Sequence, residues 1–137
     1  MAKNFKLLKE TYTPKAEKGT LIAVLDGHDV DTMAQFFTSI AKQLELPSYF
    51  GKNLDALYDC LCDFSWTDVS NVQIIFKNYD SFLGKESQQK RWDILAILND
   101  SANEWRAMKG ADKIKFEIFV EPSQRIKSDI EAAEDSE

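Results

Sequence analysis

The chain has 137 residues, 44% hydrophobic and 29% charged, which fits one soluble domain with a single core. Its formal charge of −6 is uneven: residues 1–18 carry net +3, residues 19–121 net −6 and residues 122–137 net −3. An acidic domain repels a phosphate backbone, so nucleic acid is excluded as a partner and something cationic is favoured.

No apolar run has the length needed to span a bilayer, and the Lys-rich start lacks the hydrophobic centre of a secretory signal. A cytoplasmic protein without a membrane partner is expected. Residues 1–18 are polar, contain Pro14 and show only fragments of periodicity at Phe5, Leu7 and Leu8, which suggests an N-terminal arm. Thr20 to Leu25 is a continuous apolar run of strand length ending at the Asp26-Gly27 turn, as expected of a central strand buried on both faces. Thr32 and Gln35 then form a capping box, and Met33, Phe36, Phe37, Ile40 and Leu44 recur at helical spacing until Pro47.

The stretch that follows, Leu46 to Phe64, carries the chemistry. Pro47 and Gly51 punctuate a loop, and Asn53 is placed to cap a helix with apolar residues at Leu54, Leu57, Leu61 and Phe64. At roughly 100° per residue, Asp55, Asp59 and Asp63 fall together on the opposite flank, with Tyr58 and Cys62 at the boundary. Like charges four apart destabilise a helix by roughly 0.2–0.5 kcal/mol per pair, and only Asp55, in the first turn, is favoured by the helix dipole. A solvated helix face gives the same pattern, so spacing alone does not settle function. Cys60 and Cys62 point about 200° apart on a helix, so neither a mutual disulfide nor a zinc site is expected of them.

Val72, Ile74, Ile75 and Phe76 read as a second strand, and residues 77–84, with Tyr79 and Phe82, as a loop. A helical pattern from about Ser87 to Met108 turns Leu95, Leu98, Ala102 and Trp105 inward and stops before Gly110. Ile114, Phe116, Ile118 and Val120 alternate with Lys115 and Glu117, which predicts a strand with one wetter side, at a sheet edge, ended by Pro122. The Asp-, Glu- and Ser-rich stretch from Ser123 reads as a mobile acidic tail. The order strand, two helices, strand, helix, strand predicts an α/β domain over residues 19–121. Its three-stranded parallel sheet has order 2-1-3, is flanked by helices, and lies between an arm (1–18) and a tail (122–137).

The run Leu46-Pro47, Tyr49, Gly51, Asn53-Leu54-Asp55-Ala56-Leu57, Asp59-Cys60-Leu61 resembles, residue for residue, the binding loop and second helix of the barstar family, intracellular inhibitors of a secreted bacterial ribonuclease. The similarity extends more thinly from about Gly19 to Val120. It implies the same α/β fold and a role as a cytoplasmic inhibitor of a secreted or delivered bacterial ribonuclease at one-to-one stoichiometry, with no catalytic residue, cofactor or metal. Such an enzyme gathers Arg and Lys around a phosphate, and a carboxylate can imitate that phosphate. The resemblance makes Asp59 the carboxylate inserted among these groups, with Asp55 beside it, Tyr49 over the catalytic region, Tyr58 next to the key acid, and Asp100 as a peripheral acidic contact, although a solvated helical carboxylate also fits Asp100. Asp63 joins this surface by its place on the acidic flank of the helix. Phe64 matches an aromatic beside the family's site, although its place on the apolar stripe favours core packing. Tyr58 stands where the family has Trp, Lys52 where it has Glu, and Cys62-Asp63 where it has Thr-Gly, so the contact surface differs.

Two other classes fit parts of the sequence. Asp26, Asp29 and Asp31 follow the carboxyl end of the first strand, where parallel sheets bind ligands, and three carboxylates there suit Mg²⁺ and phosphoryl transfer. Capping explains Asp31 and Thr32 more simply, no glycine-rich phosphate loop follows, and His28 has no sequence neighbour that suits a nucleophile. A general protein-interaction domain is the remaining reading.

Overall fold

A computed structural model describes residues 4–8, 17–111 and 113–135. Residues 1–3 and 9–16 of the expected arm, and the last two residues of the expected tail, lie outside that description. Four strands, β1 (Phe5–Leu7), β2 (Thr20–Asp26), β3 (Asn71–Lys77) and β4 (Lys115–Val120), pair in parallel in the spatial order β1-β4-β3-β2. Helices α1 (Met33–Gln43), α2 (Leu54–Leu61), α3 (Gln88–Ala107) and α4 (Gln124–Asp135) complete the order, with a 3-10 turn at Tyr79–Ser81. The α/β class with a parallel sheet and flanking helices is as expected; the number and order of strands are not.

The expected 2-1-3 order put the Thr20–Leu25 strand at the centre, and that is corrected. β3 is central, with Ile74, Ile75 and Phe76 all fully buried, while β2 is an edge strand whose Leu21, Ile22 and Val24 are only half-buried. An apolar run of this length fits either place, because β2 is screened from solvent at its edge by a side chain. Gln43 of α1 accepts from the Val24 N–H at 2.7 Å and donates to the Val24 carbonyl at 2.9 Å, occupying the hydrogen-bonding groups that a further strand would use. The other correction of the same kind concerns β4. It keeps the wetter side that its alternation predicts but is internal, because β1 from the N-terminal arm adds to it, pairing Phe5 with Ile118.

One face of the sheet carries the core. Leu21, Ala23 and Leu25 stand in register with Val72, Ile74 and Phe76, and these with Phe116, Ile118 and Val120. Against that face pack Phe36 and Ile40 of α1, Leu57 and Leu61 of α2, Ile94, Leu95 and Leu98 of α3, and Ile126 and Ile130 of α4. Gly27 makes the chain reversal after β2 possible: a Cβ there would stand 1.9 Å from the Asn78 carbonyl oxygen.

The acidic C-terminal stretch, expected to be mobile, is helical and docked. Ser123 Oγ accepts from the Ile126 N–H at 3.1 Å to start α4. Asp129 is buried, its Oδ2 accepting from Tyr79 Oη and Arg91 Nε, both at 2.7 Å, and its Oδ1 from Trp92 Nε1 at 2.9 Å. Burial first, and then the Asp129 charge, push the Tyr79 phenol up; Arg91, held by the same carboxylate, is raised as well. No helix among the described residues is long and apolar enough to cross a membrane.

Candidate functional site

The loop between α1 and α2 is built to leave one aromatic outside and hold another in. Glu45, at φ 54°, ends α1 in the left-handed region, and the Leu46 N–H reaches back to the Ala41 carbonyl at 2.9 Å. The Phe50 N–H closes a turn onto the Pro47 carbonyl at 2.9 Å, and the Phe50 ring meets Phe37 edge-on with centroids 6.0 Å apart. Tyr49, one residue earlier, is left 73% exposed. Asn53 then caps α2 as its sequence predicts, Oδ1 accepting from the Ala56 N–H at 2.8 Å.

α2 presents two carboxylates to solvent, not three. Asp55 and Asp59 are exposed on its outer face, whereas Leu57, Cys60 and Leu61 are buried beneath. The helix ends at Leu61 with Cys62 as its cap, and Phe64 turns left-handed at φ 57°. Asp63 is therefore exposed just past the helix, where its Oδ2 accepts from Ser65 Oγ at 3.0 Å. The three-carboxylate ridge read from periodicity is corrected to two plus one, because the helical period stops a residue before Asp63. Phe64 leaves the helix too, and is buried with its ring 5.2 Å from that of Trp66, in keeping with a packing role.

Helix α3 holds α2 in place and adds charge beside it. Trp105 Nε1 donates to the Leu61 carbonyl at 2.7 Å, satisfying an acceptor at the carboxyl end of α2. Tyr58 and Cys62 lie between the helices: the Tyr58 hydroxyl bonds Cys62, which also meets the Ser101 hydroxyl, and Ser101 in turn donates to the Ile97 carbonyl at 2.8 Å. Burial, Cys62 and then the carboxylates of Glu104 and Asp100 push the Tyr58 phenol up to about 12. Asp100, half-buried, thus belongs beside Tyr58, and so does Glu104, which the sequence reading did not single out. Its spacing of four from Asp100 on a helix was the signal available. Burial, followed by the charges of Asp59 and Asp63, raises the Cys60 thiol, and burial raises Cys62, so both cysteines are held as neutral thiols.

Asp59, Asp63 and Asp100 thus act on Tyr58 and the two cysteines, while Asp55 is exposed one turn earlier on α2 and Tyr49 on the loop before it. Lys52, exposed and at φ 52°, lies between Tyr49 and Asp55 along the chain. The exposed face around Asp55 and Asp59 is acidic. A cavity of about 710 Å³ begins where it ends, lined by Cys62, Asp63, Trp105, Met108 and Lys113 among others.

Of the three acids at the end of β2, the Asp26 carboxylate is spent on the turn, while Asp29 and Asp31 bond there through their backbone N–H groups. Asp26 Oδ1 accepts from the His28 N–H and from Asn78 Nδ2, each at 2.9 Å, and these bonds, Asn78 first, lower the Asp26 carboxyl. The Asp31 N–H donates to Gln35 Oε1 at 2.7 Å within the capping box of α1, and His28 is an exposed turn residue. Among the described residues no group of three His, Cys, Asp or Glu side chains is arranged to hold a metal ion, so Asp26, Asp29 and Asp31 do not fit the Mg²⁺ site weighed for them.

Comparison with known proteins places this geometry. Residues 20–121 match the family model described as Barstar (barnase inhibitor), which spans β2 to the end of β4 and leaves β1 and α4 outside. The chain is also 29% identical over 101 residues to a Bacillus subtilis (strain 168) protein named "Putative ribonuclease inhibitor YrdF", covering 72% of this chain and 96% of that one. With the whole β2–β4 unit matched, this chain belongs to the barstar family.

Proposed function

We propose that this protein inhibits a bacterial ribonuclease by covering its cationic active site with the loop-α2 surface, at one-to-one stoichiometry and in the cytoplasm of the producing cell. The observation that carries the reading is the pair Asp55 and Asp59, both exposed on one face of a helix that is capped at one end by Asn53 and tied at the other by Trp105. A ribonuclease holds the scissile phosphate with Arg and Lys, which accept a carboxylate in its place at little reorganisation cost. Asp59, at the middle of the surface, is the phosphate mimic; Asp55 flanks it. Tyr49 supplies a large exposed ring to close over the enzyme's catalytic side chains, and Tyr58 packs at the base of the contact. Asp63 and Asp100 add field at the rim.

Because the groups are negative and the target cleft is positive, association is steered and depends on salt. Barnase inhibitors are among the systems on which that generalisation rests, so its size is not independent of this family. Protection from the cell's own secreted enzyme and immunity to a ribonuclease delivered by a neighbour use the same chemistry. The test is a pull-down from the producing organism with wild-type and Asp59→Ala baits. Wild type should recover a ribonuclease in equimolar amount, and Asp59→Ala should not. Equal recovery by both baits, or a recovered partner with no ribonuclease activity, contradicts the reading.

A further inference from the structure

Lys52 is out of place by every local criterion. It is the only cation in residues 44–64, which contain four acids. It immediately precedes the Asn53 cap of α2, at the positive end of the helix dipole, where a cation is disfavoured. Its φ of 52° is a conformation that Gly or Asn adopts with less strain. Its side chain is exposed, and among the described residues no ion pair holds it. Among the described residues nothing therefore accounts for a lysine at this position, and what remains is what the residue presents outward. It lies on the loop between Tyr49 and Asp55, so any partner seated on α2 meets it.

We propose that Lys52 is a specificity-determining residue, a charge filter on the acidic surface. It penalises ribonucleases that are cationic at the point it faces and favours one that carries a carboxylate there. The inference rests on the function proposed above and adds which ribonucleases the surface accepts. Docking specificity commonly needs a repulsive element as well as attractive ones, and a single fixed charge at the rim acts mainly on the association rate.

Barnase serves as the probe, since a phosphate-binding cleft surrounded by Arg and Lys is what Lys52 should oppose. Association rates are measured for wild type, Lys52→Asn and Lys52→Glu from low to high ionic strength. Asn is neutral and suits the left-handed backbone, so it removes the charge without straining the loop. The expected order at low salt is Glu fastest, Asn intermediate and wild type slowest, with about threefold or more between the extremes and convergence at high salt. Equal rates, the reverse order, or no binding by any of the three overturns the filter. Asp59→Ala, measured alongside, separates this proposal from the function it rests on. The expected order across Lys52 with weakened binding by Asp59→Ala upholds both; the expected order with undiminished binding by Asp59→Ala upholds the filter and overturns the phosphate-mimic reading; equal rates across Lys52 with weakened binding by Asp59→Ala overturn the filter alone.

Discussion

The Trp105 indole N–H meets the Leu61 carbonyl at 2.7 Å, so the end of α2 that follows Asp59 is fixed to α3 and not free to fray. Trp105→Phe keeps an aromatic ring but leaves a buried carbonyl without a donor, and should cost about 1–3 kcal/mol. Urea unfolding checks this: the midpoint should fall with the slope unchanged. An unchanged midpoint would mean that the bond contributes nothing to holding α2.

Asp129 is the point at which α4 joins the molecule, since Tyr79, Arg91 and Trp92 all donate to its carboxylate. The Arg91 and Asp129 side chains are only 11% and 5% exposed, so Asp129→Ala strands a buried cation and two other donors. Removing one partner of a buried pair typically costs about 3–5 kcal/mol. The expected result is a large drop in thermal midpoint and rapid proteolysis of residues 124–135. If Asp129→Ala melted like wild type, α4 would not be an integral part of the fold.

Tyr58 reports the electrostatics of the proposed surface. Its phenol is pushed up to about 12 from an ordinary value of 10.0, by burial first and then by Cys62, Glu104 and Asp100. The unfolded chain releases this proton from about pH 10 and the folded chain does not, so the contribution to stability is complete below pH 10 and is lost as pH rises toward 12. Phenolate absorbance, with Tyr58→Phe subtracted, should place its titration near 12 in wild type. Glu104→Gln should lower that value; if it did not, Glu104 would lie outside the surface.

Gln43 substitutes for a neighbouring strand along the edge of β2, bonding both the N–H and the carbonyl of Val24. Gln43→Ala should cost about 1 kcal/mol and leave an edge open to pairing. Sedimentation should then show stronger concentration-dependent self-association than in wild type. A variant that sediments like wild type at the same concentrations would show that the edge is guarded by something else.

What could be read from the sequence was whatever its local chemistry decides. Thr32 with Gln35, and Asn53, mark helix starts because the capping bonds join residues three apart, and both are formed. Whether Thr20–Asp26 is central or at an edge is not local: Gln43, about twenty residues away, covers its free side, and β1 takes the edge beside β4 from more than a hundred residues away. Asp129 looked like one more tail acid because its three donors come from other elements. Within the candidate site, Asp55 and Asp59 followed from helical spacing. Asp63 did not, since α2 ends at Leu61 with Cys62 as its cap, and nothing in those residue types announces the stop. Glu104 emerged only once α3 was seen to pack beside Tyr58.

The central claim is that Asp59 takes the place of an RNA phosphate. The most direct measurement is the affinity of wild type and Asp59→Ala for the ribonuclease recovered from the producing organism, across a range of ionic strengths. The account predicts that Ala weakens binding by about thirtyfold or more, roughly 2 kcal/mol, and makes the salt dependence shallower. Equal affinity with an unchanged salt slope would contradict it.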